Sequence, residues 1–132
     1  MKSLSTLLFL LILSSCSTSK VLFHEGREIK PLKKFEETKS TAKVQVIRDS
    51  GFPAMGCIVQ VLVDNQLTAE LSRKEYVTIN LEPGKYKIGV VAKENYCLGQ
   101  IDTRTMFLKS GDHIMLRAGI QFGDTGFQLT DF

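Results

Sequence analysis

The chain has 132 residues, of which 43% are hydrophobic and 23% charged, with a formal net charge of +3 and no tryptophan. That length suits one ordinary domain, and the composition is too apolar for a disordered chain. A surplus of +3 also falls short of the basic stripe of a nucleic-acid binder, so no nucleic-acid partner is expected.

In chain order, residues 1–3 (Met1, Lys2, Ser3) give a basic start, residues 4–13 a largely apolar run, and Ser14 and Ser15 two small residues ahead of Cys16. A positive start, a short apolar core and small residues at a cut site form a secretory signal. The core is about half the ~20 residues a membrane-spanning helix needs. Leu13-Ser14-Ser15-Cys16 resembles the lipobox of bacterial lipoproteins, an aliphatic and two small residues before an obligatory cysteine. The resemblance implies a signal peptide over 1–15, cleavage between Ser15 and Cys16, and acylation of the Cys16 thiol. Stable attachment needs two or more acyl chains, and mature lipoproteins of that kind carry two or three. The expected place is the cell envelope, and, in a host with an outer membrane, Ser17 matches the form sorted to it, facing the periplasm. An ordinary cleaved signal with an incidental cysteine, or an uncleaved anchor, are the plain alternatives.

Residues 16–42 show no clean period. Lys20, Arg27, Lys30, Lys33, Lys34, Lys39 and Lys43 face only Glu25, Glu28, Glu36 and Glu37 over 20–43, and Pro31 interrupts the stretch. They are expected to form a lipidated basic tether that lifts a domain from the membrane, with Val21-Leu22-Phe23 as a docking point. Attraction to an anionic surface and mere solvation of a charged spacer both fit.

From residue 43 apolar residues recur at period two, the mark of half-buried strands. The alternating sets are Val44 and Val46; Cys57, Val59, Val61 and Val63; Leu67, Ala69 and Leu71; Val77, Ile79 and Leu81; Tyr86, Ile88, Val90 and Ala92; Ile101, Thr103, Thr105 and Phe107; and Ile114, Leu116, Ala118, Ile120 and Phe122, with a last segment over 127–132. Asp64-Asn65-Gln66, Glu82-Pro83-Gly84-Lys85, Ser110-Gly111-Asp112 and Gly123-Asp124-Thr125-Gly126 read as turns. These signals predict an all-β domain over 43–132, an antiparallel β-sandwich of about seven to eight strands. The runs 44–49, 63–71 and 77–86 resemble a family of small bacterial lipoproteins with a PEGA-like or transthyretin-like sandwich of unknown function. Its members pair a valine-aspartate-glycine hairpin with a proline-glycine turn; this chain departs at Gln66, where glycine is typical. The resemblance implies a fold and a location, not an activity.

If the first strand runs upward, strand parity brings Cys57 and Cys97 to the upper end together with loops 50–56, 72–75, 95–98 and 122–126. The tether and loops 64–66, 82–85 and 109–112 go to the lower end. The two cysteines are then a disulfide or two small buried apolar groups. Phe52, Met55 and Tyr96 are candidate partner contacts at that end, or plugs for it. His24 and His113 are the only histidines, and no metal-ligand spacing, nucleophile elbow or phosphate loop is present. A Cys57 nucleophile with a His113 base has no supporting motif. The expectation is therefore no catalytic residue, no metal and no cofactor beyond the covalent lipid. The expected function is a non-enzymatic lipoprotein engaging an envelope protein or cell-wall partner; an accessory lipoprotein of a secretion or other envelope machine is the alternative.

Overall fold

The computed structural model describes residues 18–50, 56–93, 97, 99–120 and 126–132. Among them the chain is all-β: nine strands in two sheets, a 3-10 turn over Phe23–Glu25 and no α-helix. The strands are β1 (Arg27–Ile29), β2 (Ala42–Arg48), β3 (Val59–Val63), β4 (Gln66–Leu71), β5 (Glu75–Leu81), β6 (Gly84–Ala92), β7 (Asp102–Leu108), β8 (His113–Gly119) and β9 (Gln128–Asp131). One sheet has the order β1-β5-β2-β8-β9, the other β4-β3-β6-β7. The strand beyond the expected eight is β1, which lies in the stretch expected as a tether.

Period-two alternation builds the core. Val44, Val46, Val77, Ile79, Leu116 and Ala118 from the first sheet meet Val59, Val61, Ala69, Leu71, Ile88 and Val90 from the second, all buried. Each fully buried Val or Leu contributes about 1.5–3 kcal/mol relative to exposure. Consecutive strands switch sheets between β2 and β3, β4 and β5, β6 and β5, and β7 and β8. Switching sheets lets strands that run the same way become neighbours. Two pairs are accordingly parallel, β2 with β8 and β1 with β5, where antiparallel pairing was expected throughout.

Two strands depart from the simple alternation, each for a local reason. In β4 the register shifts between Val61 and Leu62, so that Val61 faces Ala69 and Leu62 faces Leu67. Thr68 is the extra residue of this bulge and is buried, while Leu67 turns outward. In β7 the expected inner face is the outer one: Phe107 is 73% exposed. Residues paired across strands share a face, and the inward Tyr86, Ile88 and Val90 stand opposite Met106, Arg104 and Asp102. The inward polar pair bridges the sheets. The Arg104 guanidinium donates to both carboxylate oxygens of Asp131 at 2.6 and 3.1 Å, and Leu129 N–H donates to Asp102 at 2.7 Å.

The turn between β3 and β4 has two residues, Asp64 and Asn65, with φ of 49° and 64°. Asp and Asn tolerate this left-handed region. Gln66 already belongs to β4 and pairs with Val63, so the turn needs no glycine there.

The Arg104 guanidinium holds the Asp131 carboxyl below its ordinary 3.8. A lowered carboxylate stabilises the fold above its unfolded pKa and loses that contribution as pH falls through the folded value. Asp131→Asn is expected to lower the melting temperature at neutral pH, with the gap from the native chain closing below the ordinary carboxylate range in a pH series of thermal melts.

Candidate functional site

The N-terminal segment does not stand off from the sandwich; it is built into the upper end. Thr18 N–H donates to the Ile120 carbonyl at 2.7 Å, and Ile120 N–H donates to Thr18 Oγ1 at 2.8 Å. Ser19 forms an antiparallel bridge with Ser50. Val21 is 3% exposed. The expectation of a tether standing clear at the lower end is thus corrected for residues 18–29, which dock at the upper end and along β5. The rest of the stretch does reach the lower end, where Ser40 donates to Glu82 at 3.0 Å. The reason is that the outer face of the first sheet carries Ile47 and Arg117, which need cover, and the segment supplies it.

Val21 is held at both backbone groups. Its N–H donates to Asp49 Oδ1 at 3.2 Å, and its carbonyl accepts from Arg117 Nη2 at 3.4 Å. Arg117 Nε lies 3.5 Å from Asp49 Oδ1, with side chains only 8% and 4% exposed. Burial pushes the Asp49 carboxyl above its ordinary 3.8, against the opposing pull of Arg117, the Val21 N–H and Lys20. Between 3.8 and that raised value the folded state keeps a proton the unfolded chain releases, so this group's contribution to stability declines as pH rises across the window. The Arg117 guanidinium also lies 4.7 Å from the centre of the Phe132 ring. Phe23 packs against Tyr76 and Phe132 at ring distances of 5.1 and 4.8 Å.

Gly119 makes the close approach possible. A Cβ there would come within 2.5 Å of Asp49 Oδ2 and 2.9 Å of Thr18 Oγ1, so any other residue would push the segment away. An open groove of about 670 Å³ runs beside the pair, with Lys20, Leu22, Ile120, Thr130 and Phe132 in its walls.

Between the sheets at the same end, Arg48 is 2% exposed. Its Nη1 donates to the carbonyls of Cys57 and of Leu71, the latter at 3.2 Å, and its guanidinium lies 5.1 Å from the Phe127 ring centre. Cys57 and Cys97 form a disulfide with Cα atoms 6.0 Å apart. Strand parity set both at this end; the pairing of β3 with β6, with Val59 opposite Ala92, sets them side by side.

Cys16, Phe52, Met55 and Tyr96 lie outside the described residues, although the bracketing Ser50, Gly56 and Cys97 are at the upper end. His113 is at the lower end, its Nε2 2.6 Å from Gln45 Oε1, so it cannot act as a base for Cys57. Among the described residues no group of three or more His, Cys, Asp or Glu is placed to hold a metal ion. Asp49, Arg117 and Arg48 were not singled out from the sequence. The signal available was that the inner-face period of Val44 and Val46 continues onto the charged Arg48.

The chain matches no protein-family model and no curated protein.

Two outcomes follow from this geometry. Arg117→Met leaves the buried Asp49 carboxylate without a counter-charge and is expected to cost about 3–5 kcal/mol, read by urea unfolding at neutral pH, with faster trypsin cleavage at Lys20. Replacing both Cys57 and Cys97 by Ala opens a link across 40 residues, worth about 3–4 kcal/mol in the chain-entropy account. The same loss should appear when the native chain is unfolded with a reductant present.

Proposed function

We propose that the chain is a lipoprotein of the bacterial cell envelope, held to a membrane by acyl chains on Cys16. Its sandwich acts as a non-enzymatic binding or structural module for an envelope protein or cell-wall polymer. The observation that carries this reading is Leu13-Ser14-Ser15-Cys16, placed directly after a basic start and an apolar run too short to span a bilayer. Two structural features agree with it. Among the described residues the N-terminal segment is fixed by bonds of Thr18 and Ser19, which a chain starting at Cys16 keeps. The disulfide suits a compartment outside the reducing cytosol. Ser17 points to the outer membrane where the host has one.

The test is the mass of the N-terminal peptide of the exported chain. It is expected to begin at Cys16 and to carry acyl chains. Cys16→Ser should lose the acyl mass and move the protein from the membrane to the soluble fraction. A native chain with an unmodified Cys16, or a serine variant that stays equally membrane-bound, would overturn the proposal.

A further inference from the structure

The same anchor, combined with the position of Thr18, fixes which end of the domain meets the membrane. Cys16 precedes Thr18 by two residues, and an extended chain spans about 3.3–3.6 Å per residue, so the lipidated residue stays within roughly 7 Å of Thr18. Thr18 in turn is hydrogen-bonded to Ile120 at the upper end. With Thr18 already in the fold, only Ser17 lies between the lipidated residue and the domain.

That end also carries exposed cations. Lys20, Arg73 and Lys74 are exposed there and make no ion pair among the described residues, whereas Arg27 and Lys93 are paired with Glu75 and Glu70. Of the described carboxylates, Asp49 and Glu75 are buried, Asp102 accepts from Leu129 N–H, Glu28 is bonded to Thr78 and Tyr76 and Glu25 is exposed. The cations are held in place. Arg73 and Lys74 cap a tight turn in which Ser72 N–H donates to Glu75 Oε2 at 2.7 Å and Lys74 takes a φ of 60°.

Resting on the lipoprotein reading above, we propose that the upper end of the sandwich lies directly on the anionic lipid surface that holds Cys16, with Lys20, Arg73 and Lys74 against the headgroups. Each cation near such a surface strengthens the contact roughly fivefold. A seven-residue strand such as β2 is about 23 Å long at ~3.3 Å per residue. The lower end therefore lies beyond the ~8 Å screening length of physiological salt and faces away from the membrane. There a shallow groove of about 280 Å³ opens between Glu37, Lys39, Asp112 and His113.

The experiment uses the full lipidated chain reconstituted in vesicles with and without phosphatidylglycerol, containing a lipid with a nitroxide headgroup. A fluorophore is attached to Ser72→Cys at the upper end or Ser110→Cys at the lower end; the native pair is already disulfide-bonded and Cys16 is capped by lipid. The expected result is loss of fluorescence at 72 and none at 110, with R73E/K74E reducing the loss at 72 in anionic vesicles only. An acylated chain with equal quenching at both positions or stronger quenching at 110 would overturn the orientation alone, and a loss at 72 unmoved by R73E/K74E would overturn the contact of the cations with the headgroups. An unacylated Cys16 in the exported chain would overturn the anchored reading and the orientation with it.

Discussion

The buried Asp49–Arg117 pair fixes how the segment from Thr18 onward is joined to the sandwich. Two ions removed from water are expensive, and a pair in that position must do more than attract. Here both side chains also satisfy a backbone: Asp49 takes the Val21 N–H and Arg117 donates to the Val21 carbonyl. One residue of a segment with little regular structure thereby has its two polar backbone groups met away from water. Around that fixed point the segment forms the Ser19–Ser50 bridge, packs Phe23 on Tyr76 and Phe132, and continues into β1 along the edge of β5. Gly119 is the space that lets it come so near.

That cover explains why β2 and β8 are buried on both faces toward their ends. Ile47, Arg48 and Asp49 are all inaccessible, as are Leu116, Arg117, Ala118 and Gly119. A strand exposed on one face would alternate to its last residue. These two cease to alternate where the N-terminal segment crosses them. The opposite sheet has no such cover among the described residues, and its outer face keeps Phe107 and Ile101 exposed.

Most of the sandwich was legible because half-buried strands write their inner face into the sequence at period two. Val59, Val61 and Val63, or Val77, Ile79 and Leu81, needed no further information. What the period does not carry is the use of polar groups on an inner face. Asp102 and Arg104 face inward to lock the second sheet onto β9, so the set that alternates in the sequence, Ile101, Thr103, Thr105 and Phe107, points to solvent while Met106 and Leu108 turn inward. Likewise the clamp joins residues nearly a hundred apart in sequence: Val21 meets Arg117, and neither charge has a local motif. The bulge at Thr68 left no local mark either, since an extra residue is defined by its partner strand. The charge run over 20–43 looked like a solvated spacer because its lysines are indeed exposed, while the few residues that dock, Val21 and Phe23 above all, are too sparse to form a period.

The docking partners of the first described residues impose an order in time. Thr18 bonds to Ile120, Val21 to Arg117, and Phe23 packs on Phe132. The segment made first can therefore find its place only after the last strands exist. On a chain synthesised or threaded from its N-terminus, residues 18–26 wait as an open strand end while β2 to β9 assemble. Their seating therefore waits on the residues of β8 and β9.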